Sequence, residues 1–422
     1  MLDIRFIREH PEAVREGVAK KLEDPSRVEE ALALDERRRQ LLQETESLKS
    51  RKNTVSDEVA KRKARNEETG ELIAEMRLVA ADIKRLDDEL GTVEQNLRST
   101  LLQIPNIPHS SVPAGKSSAD NVVVATVGEV PLIDFTPRPH WEIVERLHLM
   151  DFARGTKIAG AGFPVYMGKG AKLERALINF LLDEATALGY TEVYPPLVVN
   201  AQSATGTGQL PDKEDQMYVI TRDDLYLIPT AEVPVTNIYR DEILREEQLP
   251  LQFCAATSCF RREAGAYGKE VRGLNRVHQF DKVELVKIVH PSRSYEELEQ
   301  MRSDAESLLT KLGLRYRVLL MCSADLGFTQ AKKYDLEVWS LAQERWLEVS
   351  SVSNFESYQA RRMNIRYRPA GGGKPEIVHT LNGSAFGLAR TFAALLEQCQ
   401  TPEGKVIVPK VLQKYTGFDV IG

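Results

Sequence analysis

Phe260–Glu284 reads FRREAGAYGKEVRGLNRVHQFDKVE, and this stretch combines dense charge with strand-type segments at both ends. Thr257–Phe260 leads into it and Phe280–Val286 follows its centre, with a glycine-rich loop between them. Alternation with a period of two on each side of such a loop predicts two antiparallel strands joined by a long connection. Strands of this kind present arginine and glutamate side chains from a rigid scaffold, although a charged loop is also typical of a solvated surface.

The overall composition is that of an ordinary globular protein. The chain has 422 residues, of which 42% are hydrophobic and 28% charged, and its formal net charge is −6. This length accommodates about two or three domains. The acidic balance excludes a global basic field, so any nucleic-acid partner must bind local patches.

Cysteine usage and hydropathy favour a cytoplasmic protein. The four cysteines form no CxxC pair, which argues against a structural zinc site and for reduced thiols. The start of the chain has no apolar run behind basic residues, and no apolar stretch reaches the ~20 residues of a membrane helix. We therefore expect no membrane partner.

A long antiparallel helical hairpin is predicted over residues 27–103, which contain no proline. Its second half has an unbroken coiled-coil seam, in which apolar residues alternate at spacings of four and three: Leu72, Met76, Val79, Ile83, Leu86, Leu90, Val93 and Leu97. The first half is rougher, because Thr45 and two basic residues occupy its second seam position. With a turn near Asn66–Gly70, each arm has ~35 residues and reaches ~50 Å.

The far end of this hairpin carries a cluster of basic side chains, which are Lys49, Arg51, Lys52, Lys61, Arg62, Lys63 and Arg65. The acids in the same stretch are Asp57 and Glu58. Two interpretations stay open at this point. The cluster is either an ordinary solvated helix face with i,i+4 pairs or a surface that attracts the phosphates of an RNA.

The rest of the chain predicts an α+β domain with an antiparallel sheet and flanking helices. A linker rich in Pro, Ser and Gly runs over 105–120, and long helices are expected over Ala171–Leu188 and Tyr295–Leu312. Further strands are expected over 218–221, 225–228, 315–320, 333–340 and 345–352, and from Phe260 onward. Regular βαβ alternation is absent, as is a Gly-rich phosphate loop between a strand and a helix.

Together these segments resemble the seryl-tRNA synthetases of bacterial type, a family of class II aminoacyl-tRNA synthetases. Phe260–Glu284 is similar to the second class II motif in its seryl form. Gly189–Asn200 (GYTEVYPPLVVN) and His379–Glu397 (HTLNGSAFGLARTFAALLE) resemble the first and third motifs. Shorter segments are also of seryl type: Thr207–Pro211, Thr230–Pro234, Glu348–Ser351 and Asn354–Arg368.

The resemblance implies activation of L-serine with ATP and transfer of the seryl group to tRNA(Ser), with tRNA(Sec) as a further substrate to consider. It implies catalytic roles for Arg261 and Arg390 and an ATP site made of Arg261, Arg262, Glu263, Val277, Phe280, Glu348, Val349, Ser350, Ser351 and Arg390. Phe280 would stack on adenine, and Glu348 and Ser351 would hold Mg²⁺ with the phosphates. His278 is expected to be structural rather than a general base.

The same resemblance implies a serine pocket made of Thr230, Ala231, Glu232, Arg261, Glu284, Asn382 and Ser384. Glu232 would accept from the substrate ammonium, while Glu284 and Ser384 would bind its hydroxyl. The third motif departs from the usual family pattern, because Ala385 and Ala389 stand where glycines are common. We interpret these alanines as a packing variant.

At the level of domains, the resemblance implies an N-terminal tRNA-binding domain over 1–104, the linker over 105–120 and a class II catalytic domain over 121–422. The loop between the two strands of the second motif would face the tRNA 3′ end, and the first motif would form a homodimer. Two other functions stay open: a synthetase-like ligase that loads an amino acid onto a carrier protein, and a non-catalytic coiled-coil RNA-binding protein.

Overall fold

A computed structural model describes residues 1–131, 133–264 and 272–422. The chain forms two compact units, one of Met1–Ala19 with Glu23–Pro105 and the other of Lys20–Leu22 with Asn106–Gly422. The loop that we expect to face the tRNA end includes 265–271, so that prediction lies outside the described residues.

The α-helices of the described residues run in chain order as α1 (Ile4–Glu9), α2 (Pro11–Lys20), α3 (Ser26–Ala64), α4 (Gly70–Leu102), α5 (His140–Arg146), α6 (Phe152–Ala159), α7 (Gly168–Ala187), α8 (Ala201–Thr207), α9 (Glu232–Thr236), α10 (Ser294–Leu312), α11 (Tyr358–Met363), α12 (Leu388–Gln398) and α13 (Lys410–Thr416).

The strands of the described residues are β1 (Val122–Val127), β2 (Met150–Asp151), β3 (Val165–Tyr166), β4 (Thr191–Glu192), β5 (Val198–Asn200), β6 (Val219–Ile220), β7 (Leu225–Leu227), β8 (Ile243–Arg245), β9 (Leu251–Phe260), β10 (Gln279–Val289), β11 (Tyr316–Leu320), β12 (Lys332–Ser340), β13 (Arg345–Glu356), β14 (Arg366–Arg368), β15 (Glu376–Ile377), β16 (His379–Gly387), β17 (Val406–Ile407) and β18 (Val420–Ile421).

The first unit contains the predicted helical hairpin, which is confirmed as α3 and α4. Leu41 packs against Leu86 and Val93 across the two helices, as a coiled-coil seam requires. Thr45 is also buried in α3, although its hydroxyl has no hydrogen-bond partner among the described residues. At the base of the hairpin, the short helices α1 and α2 add Ile7 and Val14 to a second apolar cluster.

The second unit is built on an eight-stranded sheet with the order β1-β11-β12-β13-β16-β10-β9-β4. The pairs are antiparallel except β4 with β9, which is parallel. The predicted antiparallel sheet is therefore confirmed. The last strand of this sheet in the sequence, β16, lies near its middle, between β13 and β10.

Helices α7, α10 and α12 pack on this sheet because each has one apolar face. Leu177 and Phe180 of α7, Leu308 of α10 and Phe392 of α12 belong to one buried core with the strand residue Leu285. This core makes the centre of the sheet rigid, and rigid strands hold their polar side chains in fixed positions.

The two strands of the second motif pair in antiparallel register, with Phe260 opposite Gln279. The expectation that the first strand continues beyond Phe260 is wrong, because β9 ends there. Arg261 still donates its backbone N–H to His278, but Arg262 donates to Gln216 of another segment. The ladder therefore stops, and Glu263 takes a left-handed backbone conformation with φ of 48°.

The segment over 105–120, which we describe from the sequence as a linker, is hydrogen-bonded within the second unit from Asn106 onward. The Asn106 side-chain amide donates to the carbonyls of Thr329 and Phe355 at 3.0 Å each. His109 donates its backbone N–H to Ala331 at 2.9 Å. These bonds fix the start of the segment against β12 and β13.

Candidate active site

A cleft of about 260 Å³ opens beside the central strands of the sheet. Its walls come from the segment after β9, from residues 274–277, and from β10, β13, β16 and the start of α12. The structure brings together ten of the residues that we expect to bind ATP or serine: Arg261, Glu263, Val277, Phe280, Glu348, Val349, Ser350, Ser351, Ser384 and Arg390.

One wall of the cleft is formed by Arg261 and Phe280. The guanidinium carbon of Arg261 lies 5.2 Å from the centre of the Phe280 ring, which is cation–π distance. The Arg261 Nε donates to the carbonyl of Pro229 at 3.3 Å. Close by, Glu263 accepts a hydrogen bond of 3.3 Å from Arg276. An aromatic face next to guanidinium groups suits a planar base attached to phosphates.

Another part of the cleft lining is Arg390, which the backbone holds in place. Its Nε donates to the carbonyl of Asn275 and its Nη1 to the carbonyl of Glu348, both at 2.9 Å. The Ser350 hydroxyl is also engaged, because it donates to the carbonyl of Ser384 and so joins β13 to β16. These bonds fix the guanidinium plane of Arg390 before any ligand arrives.

Nearby cations stabilise the charge of the Glu348 carboxyl. Loss of solvent by itself raises the pKa of this group, but Lys333, Arg390 and Arg261 hold the pKa below its usual value. Glu348 is therefore a carboxylate at neutral pH, and the Ser351 hydroxyl lines the same cleft. Two hard oxygen ligands of this kind fit Mg²⁺, which usually combines one or two protein oxygens with substrate phosphates and waters.

A buried polar cluster lies beside the cleft and is centred on Glu284 of β10. Glu284 has no solvent exposure, and it accepts hydrogen bonds from the Thr230 hydroxyl at 2.9 Å and from the Asn382 amide at 2.5 Å. It also forms an ion pair with Lys282, which lines the cleft. Ser384, directly opposite Glu284 on β16, lines the cleft as well. The cluster therefore borders the cleft through these two residues.

Glu232, at the start of α9, belongs to the same cluster. The amide of Gln359 donates to its Oε1 at 2.7 Å, and the Thr230 hydroxyl accepts from the Glu232 backbone N–H at 3.2 Å. Burial, together with the nearby charge of Glu284, raises the pKa of Glu232 to about 7. Ala231 is buried next to it in the chain.

Arg262 is the expected ATP-binding residue that the structure leaves apart from this cleft. Its side chain is exposed, and it is not among the described residues that line the cleft. Of the two alanines in the third motif, both are buried, and Ala389 lines the cleft while Ala385 lies in the core of the sheet.

His278 is held as part of the framework. Its Nδ1 shares a hydrogen bond of 2.6 Å with the Tyr218 hydroxyl, and its ring stacks on Phe163 at 5.4 Å. Its backbone N–H donates to Gly162 at 2.8 Å. His278 is absent from the described lining of the cleft.

Sequence reasoning missed the buried carboxylate that supports residues 274–277. Glu397 of α12 accepts from His140 Nδ1 at 2.9 Å, and His140 Nε2 accepts the backbone N–H of Leu274 at 2.9 Å. These bonds require the tautomer with its proton on Nδ1. At Gly273 a Cβ atom would lie 2.3 Å from His140 Nε2, so only glycine fits there.

Asn275 and Arg276 also line the cleft without having been assigned a role from the sequence. The available signal was their place inside the quoted stretch, between Gly273 and Glu284. Asn275 and Arg276, with Arg390 and Glu348, are shared with an adjoining cavity of about 170 Å³. Arg276 and Arg390 therefore line both cavities.

The basic residues at the far end of the hairpin fall into two groups. Three of them form ion pairs within the hairpin: Lys49 with Asp87, Arg51 with Glu75 and Arg62 with Glu58. The other four, Lys52, Lys61, Lys63 and Arg65, have no ion pair with any described residue.

Three of the cysteines are buried and Cys399 is partly buried, all as free thiols. Across 1–131, 133–264 and 272–422, no group of three or more His, Cys, Asp or Glu side chains is arranged to hold a metal ion. Within the same ranges, every helix is too short or too polar to cross a lipid bilayer.

Comparison with protein-family models gives two matches. Residues 1–108 match the model described as seryl-tRNA synthetase N-terminal domain. Residues 218–399 match the tRNA synthetase class II core domain of the G, H, P, S and T enzymes. The second range includes all the cleft residues described above.

Similar whole chains are also known. A serine--tRNA ligase of Salinibacter ruber is 54% identical over 425 residues, which covers 100% of this chain and 99% of the relative. A crystal structure of seryl-tRNA synthetase from Pyrococcus horikoshii complexed with ATP matches with a TM-score of 0.95 and 39% identity over 100% of this chain and 99% of that one. A cytoplasmic serine-tRNA ligase from Naegleria fowleri in complex with AMP matches with a TM-score of 0.90 and 29% identity over 100% and 98%.

Proposed function

The chain belongs to the seryl-tRNA synthetase family, and we propose that its cleft activates L-serine with ATP and then passes the seryl group to tRNA. It is thus a class II ligase that forms an aminoacyl-tRNA ester. The observation that carries the proposal is the convergence of residues from the second and third motifs and from Glu348–Ser351 on one cleft. A carrier-protein ligase is disfavoured, because the match to the tRNA synthetase N-terminal domain covers residues 1–108.

In the first step, we propose that the serine carboxylate attacks the α-phosphorus of ATP and that pyrophosphate leaves. Arg261 contacts the α-phosphate and the carboxylate, where negative charge accumulates, and Phe280 stacks on the adenine ring. Arg390 binds the outer phosphates. Fixed guanidinium groups stabilise this charge without reorganisation, so no protein nucleophile or base is needed.

The phosphates also need a divalent cation, and the residues of the cleft fit one. Glu348 and Ser351 would hold Mg²⁺ together with the phosphate oxygens, and Mg²⁺ supplies further neutralisation of their charge. The lowered pKa of Glu348 supports this role, because a carboxyl group binds Mg²⁺ as its ionised carboxylate. Within the chain itself, Lys333 and Arg390 keep Glu348 in that state.

For the amino acid, we propose that the polar cluster beside the cleft selects serine. Glu232 accepts from the substrate ammonium, and Glu284 with Ser384 binds the hydroxyl, while Thr230 and Asn382 keep Glu284 in place. A site whose buried groups need a hydroxyl rejects alanine strongly, since those groups would lose a partner. Threonine is excluded by size, which gives only ~1–3 kcal/mol per methyl group.

In the second step, a hydroxyl at the tRNA 3′ end attacks the seryl carbonyl and AMP leaves. We propose that residues 1–104 form the tRNA-binding domain and that tRNA(Ser) contacts the far end of the hairpin, with tRNA(Sec) as a second candidate substrate. Lys52, Lys61, Lys63 and Arg65 support this role, because none of them forms an ion pair with a described residue and such cations are available to phosphates.

We further propose that two copies associate through the first motif and act in the cytoplasm, where translation uses charged tRNA. The edge strand β4 lies next to Tyr194, whose side chain is 89% exposed, and Leu188 is exposed before it. Large apolar side chains on an exposed sheet edge are typical of an interface.

The decisive experiment is ATP–pyrophosphate exchange measured with serine, threonine, alanine and glycine in turn. We expect rapid exchange with serine alone, followed by charging of tRNA when it is added. Exchange that depends on another amino acid would contradict the proposed substrate. Serine-dependent exchange without any charging of tRNA would favour the carrier-protein alternative.

A further inference from the structure

Helix α11 connects the serine cluster to residues 205–210, which include the end of α8 and which the proposed function leaves without a role. Its Gln359 is 1% exposed, and its amide nitrogen donates to Glu232 Oε1 at 2.7 Å and to the carbonyl of Thr207 at 3.1 Å. Its amide oxygen accepts from the Thr380 hydroxyl at 2.8 Å. A backbone carbonyl can only accept, so the contact with Thr207 fixes which end of the amide is the donor.

We propose that Gln359 is a positioning residue for the amino group of the substrate: its amide holds Glu232 so that the other carboxylate oxygen remains the acceptor for an ammonium group. This inference rests on the proposed function. Among the described residues, Gln359 is the side chain that donates to the Glu232 carboxylate. The amide itself is immobilised by Thr207 on one side and Thr380 on the other, so it cannot rotate away.

The need for such a donor follows from the surroundings of Glu232. The carboxyl is 7% exposed, and the carboxylate of Glu284 lies in the same buried cluster. Burial and Glu284 raise the pKa of Glu232, while the Gln359 amide acts in the opposite direction. Lys282 and Lys213 are the cations that also act on this group and lower its pKa. A neutral amide stabilises the carboxylate without competing with the incoming ammonium as a positive charge would.

Residues 205–210 are held in place by a second residue of α11. Arg362 donates to the carbonyls of Thr205 and Leu210 at 3.1 and 3.3 Å. The packing is close at Gly206, where a Cβ atom would lie 2.6 Å from the Met363 side chain. Replacement of Gln359 removes its bonds to Glu232 and to the carbonyl of Thr207, while the two bonds from Arg362 remain to hold residues 205–210.

The test is Gln359→Met, which keeps the approximate length of the side chain and removes both donor and acceptor. In ATP–pyrophosphate exchange we expect the KM for serine to rise about 10- to 100-fold, as for a lost hydrogen bond to a charged group, with little change in the KM for ATP. Loss of the Gln359 hydrogen bond should also raise the pKa of Glu232, and this moves the acidic limb of the pH profile of kcat/KM for serine to higher pH. Gln413→Met in α13, which loses a bond to the carbonyl of Val408, is the matched control.

A second variant keeps the inference testable if Gln359→Met does not fold. Thr380→Val removes the donor to the amide oxygen of Gln359, and we expect a smaller rise in the serine KM alone. The double variant should be no worse than Gln359→Met, because both changes act through one amide. An unchanged serine KM in a folded variant, or equal rises for serine and ATP, would overturn the inference. Failure of the unmodified protein to exchange with serine would overturn the proposed function instead.

Discussion

Glu284 and Ser384 lie opposite each other in the antiparallel pairing of β10 and β16, and only Ser384 reaches the lining of the cleft. Glu284 is buried behind it and paired with Lys282. The pair joins the cleft to the polar cluster, so changes at this point separate binding of serine from binding of ATP.

Glu284→Gln keeps the volume of the side chain and removes its charge. We expect the KM for serine to rise by about 10²-fold or more, because the pocket is built to pair with a hydroxyl. The KM for ATP should change little, since Glu284 does not line the cleft. Steady-state exchange kinetics measure both values, with Glu337→Gln on β12 as a control, because Glu337 pairs with Arg317 instead. Equal changes in both KM values would contradict this division.

The affinity for serine should depend on pH through Glu232, whose pKa is raised to about 7 in the absence of ligand. Only its ionised form pairs with an ammonium group, so the serine KM should fall as pH rises from about 6 to 8. A raised carboxyl pKa means that the proton stabilises the folded state below the ordinary pKa, and that this contribution is lost as pH rises through 7. Serine should therefore raise the melting temperature more at pH 8 than at pH 6, and Glu232→Gln should remove this difference.

Arg390→Gln removes the guanidinium that two backbone carbonyls hold in place. We expect kcat for serine-dependent exchange to fall about 10²- to 10³-fold, the usual loss for one fixed donor to a developing charge. Rapid-quench measurement of adenylate formation checks the chemical step. Arg302→Gln on α10 provides the control, because that arginine pairs with Glu299 and Glu306 away from the cleft. A fall of the same size in the control would show that the loss is not specific to the cleft.

Replacement of Lys52, Lys61, Lys63 and Arg65 by glutamine should weaken tRNA charging while exchange without tRNA continues. If each of the four side chains contacts one phosphate, the plot of log affinity against log salt should become less steep in the variant, with the magnitude of its slope smaller by about 3. Filter binding at several salt concentrations measures this slope. The comparison variant replaces Lys49, Arg51 and Arg62, which are engaged in ion pairs, and we expect a smaller decrease per residue replaced. A larger decrease for the paired set would reverse our assignment.

Thr45→Val should stabilise the hairpin. The Thr45 side chain is buried between the helices and its hydroxyl lacks a partner among the described residues, so a nearly isosteric methyl removes a desolvation cost of about 1–3 kcal/mol. Thermal unfolding followed by circular dichroism should show the helical hairpin melting at a higher temperature. Thr54→Val, at an exposed position, is the control. A lower transition would mean that the hydroxyl is satisfied in solution.

The sequence predicted the parts of the molecule whose signal is local. The seam from Leu72 to Leu97 repeats along one helix, and the alternation around Phe260 and Phe280 lies within thirty residues. The ends of strands were harder to predict from the sequence. The strand β9 ends because the backbone of Arg262 donates to Gln216, and no change in composition marks that point.

Long-range polar contacts could not be predicted at all. Gln359 meets Glu232 from 127 positions away, and Glu397 reaches His140 across 257. A single buried glutamine or glutamate on a helix leaves no periodic pattern, so only the folded arrangement reveals its partner. Resemblance to a family pointed to the residues expected to contact ligands. It assigned no role to residues such as Gln359 and Glu397, which hold other side chains in position.

The position of β16 near the middle of the sheet has a consequence for how the chain is made. A ribosome completes β10 and β13 long before residues 379–387, so the nascent sheet has two open edges where β16 will later insert. Unpaired edges of this kind recruit other strands, and incomplete chains that end before residue 379 should therefore aggregate. The helical hairpin pairs two consecutive helices, so it can form once both have emerged and does not wait for the sheet. Until residues 379–387 have been synthesised, the strands made earlier cannot complete the sheet and remain substrates for chaperones and proteases.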